Sequence, residues 1–171
     1  MAAPAPSRRL SFREFANGDL PALAALLADP EVMRYSWRGP HDLEGSKAVL
    51  AGFQRVYREH GFGKWALHCR TTGEFVGYCG LDPCPPGAPM GFELGYRLAP
   101  KFWGQGLASE AAEAVVYHIS VKLQLAQIFA FVEPANTASV RVLEKAGFRR
   151  VEQSVPLNGK TMDIYRRDPS K

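Results

Sequence analysis

The chain has 171 residues, 46% of them hydrophobic and 22% charged, which suits one domain around one substantial core. No apolar run approaches the roughly 18 residues that a membrane span needs. The formal charge of +4 is mildly basic, and no run of Lys and Arg interleaved with aromatics marks nucleic acid as a partner.

The opening "MAAPAPSRR" lacks the charged-then-apolar order of a signal peptide, so residues 1–8 read as a flexible arm and residues 9–168 as one domain. Cys69, Cys79 and Cys84 are odd in number and show no CxxC spacing. With the four scattered histidines, this argues against a disulfide framework and against a metal site, and it fits a reducing cytoplasm.

Taken in order, "RLSFREF" (Arg9 to Phe15) alternates and predicts a strand. "NGDLPALAALLADP" predicts a helix capped by Asp19, with Pro21 in its first turn and Pro30 past its end. "EGSKAVLAGFQRVYREHG" predicts a second helix, capped by Ser46 and closed by Gly61. "KWALHC" and "EFVGYCGL" form a hairpin through "RTTG". "DPCPPGAP" reads as a loop whose prolines exclude a regular strand. "GFELGYRL" is a strand with Phe92, Leu94, Tyr96 and Leu98 on one face and Glu93 and Arg97 on the other.

"KFWGQGLASEAAEAVVYHI" becomes a helix whose buried stripe runs from Leu107 to Val121. "AQIFAFVEP" is a buried strand. "NTASVRVLEKAGF" is a short helix capped by Asn136 with Gly147 after its end, and two strands, "RRVEQSV" and "TMDIYRR", flank the turn "PLNGK". The expected class is therefore α/β (α+β), a single domain with a mixed, mostly antiparallel sheet of about seven strands and about four helices.

Gly104 and Gly106 sit where the long helix begins, and each costs about 1 kcal/mol against alanine within a helix. A helix start presents unpaired amides and partial positive charge, a site for phosphate, and glycine lets the phosphate come close. The other reading is a tight turn or close packing. The dinucleotide fingerprint fails at Ser109, and no GK[ST] follows for a nucleotide P-loop.

Lys101-Phe-Trp-Gly104-Gln-Gly106 resembles the acetyl-CoA motif of the GNAT superfamily of N-acetyltransferases, [QR]xxGxG/A, with lysine in the first position. "FELGYRLAPKFWGQGLASEA" together with "PANTASVRVLEKAGFRRV" is similar to the RimJ/RimL-like branch that holds the ribosomal-protein N-terminal acetyltransferases. The likeness extends from "RLSFREF" to "KAGFRRV".

The resemblance implies a GNAT-type fold and acetyl-CoA as co-substrate. It places the main chain of Tyr96, Arg97 and Leu98 along the pantetheine arm, like an added strand. It puts the pyrophosphate on the amides of Gln105, Gly106, Leu107 and Ala108, with Gly104 and Ser109 nearby. Trp103 either shields that site or packs at the helix start. Lys101 either meets a CoA phosphate or is solvated. Asn136 caps its helix and contacts pantetheine amides.

For the chemistry, the resemblance implies that an amine attacks the thioester in a ternary complex. Ser139 protonates the departing thiolate, directly or through water. The family's acid tyrosine falls at Leu143 here. A backbone N–H near Leu94 or Tyr96 holds the oxyanion. Glu93 is the first candidate for the base, against a strand glutamate paired with an arginine. The branch's glutamate before a turn such as "LNG" aligns with Val155, which weakens the case for N-terminal protein acetylation by the same route.

Tyr35 and Trp37 are either a wall for the acceptor or a lid over the core. The acceptor is a small amine or a peptide N-terminus, and the oligomeric state, a homodimer included, stays open. The alternative is a non-catalytic CoA-binding or sensor module of the same fold.

Overall fold

A computed structural model describes residues 3–125 and 127–168. The strands are β1 (Leu10–Arg13), β2 (Lys64–Cys69), β3 (Phe75–Pro83), β4 (Phe92–Leu98), β5 (Ile128–Val132), β6 (Arg149–Leu157) and β7 (Lys160–Arg167). The helices are α1 (Leu20–Ala28), α2 (Leu43–His60), α3 (Leu107–His118) and α4 (Thr137–Lys145). One seven-stranded sheet has the order β1-β2-β3-β4-β5-β7-β6. The expected class, seven strands and four helices are all present. Among the described residues no helix is long and apolar enough to cross a membrane.

Alternation along the strands builds a core on each face. Trp65, Leu67, Cys79 and Leu81 point to the α3 and α4 side, where Val115 and Leu143 complete the packing. Ala66 and Tyr78 point the other way, to Leu23 and Leu27 of α1 and Phe53 of α2. Every neighbouring pair of strands is antiparallel except β4 and β5. Those two run parallel and meet at one aligned pair, Glu93 opposite Phe129. Beyond Glu93 the two strands diverge, and the sheet opens in its middle.

Several local expectations are corrected. Helix α2 starts at Leu43, and its cap is Asp42, whose carboxylate accepts from the Gly45 amide at 2.7 Å. Ser46 lies buried in the first turn and donates to the Asp42 carbonyl at 2.9 Å. Asp19 precedes α1 but makes no capping bond to it. Its carboxylate instead accepts from the Ala16 amide and from both Nη atoms of Arg13. β3 continues through Asp82 and Pro83, which align with Glu93 and Phe92. At that position the proline ends the strand, so its missing N–H interrupts no ladder.

The third helix ends at His118, and a π-turn over Ile119–Leu123 follows. β6 and β7 extend inward until only Asn158 and Gly159 form the turn. Both have positive φ, the geometry of a two-residue hairpin.

Of the predicted N-terminal arm, Met1 and Ala2 lie outside the described residues. From Ala3 on it lies on the domain: Ala3 packs against the core, Pro4 is buried, and Ser7 bonds Glu110 at 2.7 Å. Ala126, the first residue of the expected strand "AQIFAFVEP", is also outside the described residues.

Candidate active site

β4 delivers the chain to a single 3₁₀ turn, Pro100–Phe102, and then to the glycines. Gly104 has φ +71° and Gly106 φ +76°, in the left-handed region where other residues are strained. A Cβ at Gly104 would meet nothing within 4 Å, and one at Gly106 only the tip of Arg9 at 3.8 Å. The backbone bears out the tight-turn reading of the glycines. The turn demands positive φ, and the bare backbone leaves open space over the first amides of α3.

A cavity of about 600 Å³ covers this helix start. Its wall includes Trp103, Gly104, Gly106, Leu107, Ala108 and Ser109. It continues past Tyr96, Arg97 and Leu98 to Asn136 and Ser139. The Trp103 indole donates to the Leu98 carbonyl at 2.7 Å, so Trp103 braces the strand end and that carbonyl is occupied.

Two predicted contacts are not in the wall. Lys101 pairs with Glu74 at 2.6 Å. The Gln105 side chain donates to the Lys101 carbonyl at 2.9 Å, and the Gln105 main-chain carbonyl accepts from Arg9 at 3.0 Å. Arg9 also pairs with Glu110 at 2.7 Å and ties β1 to α3. Arg141 and Lys145, one turn apart on α4, add positive charge to the same cavity. The sequence reading singled out none of these three. The spacing of Arg141 and Lys145 was the available signal.

Asn136 is the cap of α4, its Oδ1 accepting from the Ser139 amide at 3.2 Å. The Tyr96 hydroxyl lies 2.8 Å from Ser139 Oγ and donates to the Ser139 carbonyl at 3.1 Å. Burial pushes the Tyr96 pKa up, so its proton is held. Sequence reading gave Tyr96 only a main-chain role, because no local signal brings β4 to α4. Leu143, at the family's tyrosine position, is 2% exposed and faces the core.

A second cavity of about 150 Å³ is lined by Tyr35, Trp37, Glu93, Gly95, Glu133 and Met162, among others. It shares Val32, Tyr35, Tyr96, Arg97, Asn136 and Ser139 with the larger one, so the two meet at the β4–β5 opening. Tyr35 reaches the Ala135 carbonyl at 3.5 Å and lies between the two. Trp37 lines the smaller cavity alone.

Glu93 stands where the strands part. Burial pushes its pKa up to about 7; Lys64 and Arg97 pull it down, and Asp82 pushes it further up. Among the described residues no arginine forms an ion pair with Glu93; Arg97, on the same strand face, donates to the Tyr78 hydroxyl at 3.1 Å. Lys64 was not singled out from the sequence. It is 4% exposed, and its ammonium lies 3.4 Å from Asp82. Val155 belongs to β6 opposite Met162, and Glu152 is exposed. Among the described residues no cluster of three or more His, Cys, Asp or Glu side chains is placed to hold a metal ion.

Residues 9–149 match the family described as acetyltransferase (GNAT) domain. The chain is 32% identical over 160 residues to the uncharacterized protein YkkB of Bacillus subtilis, covering 93% of this chain and 92% of that one. It is 39% identical over 98 residues to the FsC-acetyl coenzyme A-N(2)-transacetylase of Aspergillus fumigatus, covering 54% of this chain and 41% of that one. Among solved structures, an acetyltransferase from Agrobacterium tumefaciens superposes with a TM-score of 0.84 at 27% identity, covering 98% of this chain and 95% of that one. The chain belongs to the GNAT acetyltransferase family and is an acyltransferase that takes acetyl-CoA as its donor and an amine as its acceptor.

Proposed function

We propose that the protein acetylates a primary amine, on a small molecule or a peptide N-terminus, by direct attack on acetyl-CoA in a ternary complex. The observation that carries this is the pair of cavities entering the β4–β5 opening from its two sides, with Glu93 lining one and the Tyr96–Ser139 pair at their junction. The large cavity, with its helix start and cationic wall, suits CoA. The small one, lined by Tyr35, Trp37 and Glu93, suits an amine-bearing end.

Within this reading Glu93 takes the proton from the incoming ammonium, and a carboxyl titrating near neutrality suits that task. A backbone N–H of β4 near Leu94 or Tyr96 holds the carbonyl oxygen. The C–N bond forms, the C–S bond breaks, and Ser139 gives the thiolate its proton. Tyr96, bonded to Ser139, keeps its own proton and orients the Ser139 hydroxyl, which recovers its proton from solvent as Glu93 releases its own. The main chain of Gly95 to Arg97 has no strand partner on the β5 side and supports the pantetheine arm. Asn136 holds the turn that presents Ser139.

The motif likeness supports the RimJ/RimL-like branch. Val155 at the position of that branch's acid favours a different means of holding the acceptor.

A panel of primary amines and N-terminal peptides with acetyl-CoA, read as released thiol and as acetylated product, tests the proposal. At least one acceptor should raise thiol release above the acceptor-free rate. Ser139→Ala should lower turnover more than it weakens acetyl-CoA binding. Tight acetyl-CoA binding with no amine accepted, or a Ser139→Ala loss confined to affinity, refutes it.

A further inference from the structure

Lys64 is a buried cation in an unusual place. It begins β2, and its register partner on β3 is Gly80, whose partner on β4 is Gly95. All three lie on the sheet face that carries Glu93, because Asp82 and Glu93 are the aligned pair two residues further along β3 and β4. The lysine side chain crosses over Gly80, donates to the Gly80 carbonyl at 3.0 Å and ends at Gly95. A Cβ at Gly95 would come within 2.7 Å of the ammonium. Gly95 therefore leaves the space into which Lys64 reaches, and Gly95 itself lines the acceptor cavity.

A buried ammonium without compensation would lose its proton. Burial does oppose the charge here, yet Asp82 and Glu93 more than offset it and hold the pKa above the ordinary lysine value. The lysine thus stays charged next to two carboxylates, of which Glu93 lines the acceptor cavity.

We propose that Lys64 is a positioning residue of the acceptor site, its ammonium lodged against Gly95 to hold the Asp82–Glu93 pair in place and Glu93 ready to accept a proton. This deepens the proposed function and rests on its assignment of Glu93 as base. The other groups facing Glu93 are accounted for. Asp82 opposes its ionisation and Arg97 favours it. From the loop after β3, Cys84 stays a neutral thiol, pushed up to about 12 by burial. Tyr78 is tied to Arg97, and Tyr57 on α2 bonds the Phe15 amide. Across the cavity Glu133 is paired with Lys160. Lys64 is the cation packed deepest among them.

The test reads Glu93 directly, by carbon-13 carboxyl NMR of the ligand-free protein, with Glu93→Gln identifying its signal. Lys64→Met should raise the titration midpoint by about one pH unit, and Asp82→Asn should lower it. Gly95→Ala, which displaces the ammonium without removing it, should move the midpoint in the same direction as Lys64→Met. Should Lys64→Met not fold, Gly95→Ala and Asp82→Asn still decide. A midpoint unchanged in folded variants overturns the proposal. If the midpoint moves but the acid limb of the acetylation rate does not follow, Lys64 still tunes Glu93, and the assignment of Glu93 as base is what fails.

Discussion

Replacing Glu93 by glutamine should make the protein more stable and less active, and only above a defined pH. Burial raises the Glu93 pKa from 4.5 to about 7. At about 1.4 kcal/mol per pH unit, that gap bounds the destabilisation at about 3 kcal/mol. The carboxyl is only partly covered and faces a solvent-reachable cavity, which brings the expectation to about 2 kcal/mol. The sign follows from proton linkage. Below about pH 4.5 the native and unfolded chains both carry the proton, and nothing is lost. Between about pH 4.5 and 7 the unfolded chain ionises first, so native stability falls as pH rises. Above about pH 7 both forms are ionised, and the loss stays constant. Urea unfolding of wild type and Glu93→Gln, measured from about pH 4 to pH 8.5, should give curves that coincide at the acid end and separate by about 2 kcal/mol at the basic end. Acetyl transfer by wild type should rise with pH as Glu93 ionises near pH 7, and transfer by the variant should stay low throughout. Stability curves that stay parallel across the range would refute the burial argument.

Gly106→Glu should raise the acetyl-CoA Kd at least about 100-fold in calorimetry, since it combines bulk, negative charge and a strained φ of +76°; unchanged affinity in a folded variant would remove the phosphate cradle from α3. Trp37→Ala should raise the acceptor KM and leave the acetyl-CoA Kd nearly unchanged, whereas Tyr35→Ala, which lines both cavities, should weaken both ligands. Equal losses for both substitutions would make the pair a lid over the core. Asp42→Ala should cost about 1 kcal/mol in chemical denaturation through loss of the α2 cap, with kcat unchanged.

Much of the fold was legible because its signals are local. The period of two in "GFELGYRL" places Glu93 and Leu94 on opposite faces, and the glycines mark the start of α3. The Asn136 cap was likewise readable from one short segment, and its side chain does close the first turn of α4. What failed were choices between adjacent signals. Asp42 and Ser46 both suit an N-cap, and only packing, which buries Ser46, decides between them. The prolines of "DPCPPGAP" hid the last residues of β3, because a strand end needs no donor from Pro83. The site itself depends on register across strands distant in sequence. The contacts of Lys64 with Gly95, and of Tyr96 with Ser139, link residues whose separation carries no periodic signal. Lys64 reads locally as an ordinary strand lysine. Only the alignment of two glycines beside it shows that a long side chain is laid across the sheet.

The lone Glu93–Phe129 pairing divides the sheet into a four-stranded block, β1 to β4, and a three-stranded block, β5 to β7. Backbone hydrogen bonding therefore does little to join the blocks along the seam, and side chains of α3 and α4 pack against strands of both. An extended arm lying in the seam would act as a replaceable strut, lending ladder bonds that the chain itself does not supply. Occupancy and rigidity become one quantity. Ligand at about 100 times its Kd adds about 2.7 kcal/mol to global stability, and amide exchange along the exposed edges of β4 and β5 should slow more than elsewhere. Departure of the spent carrier would then loosen the joint, so turnover and breathing of the two blocks share one clock.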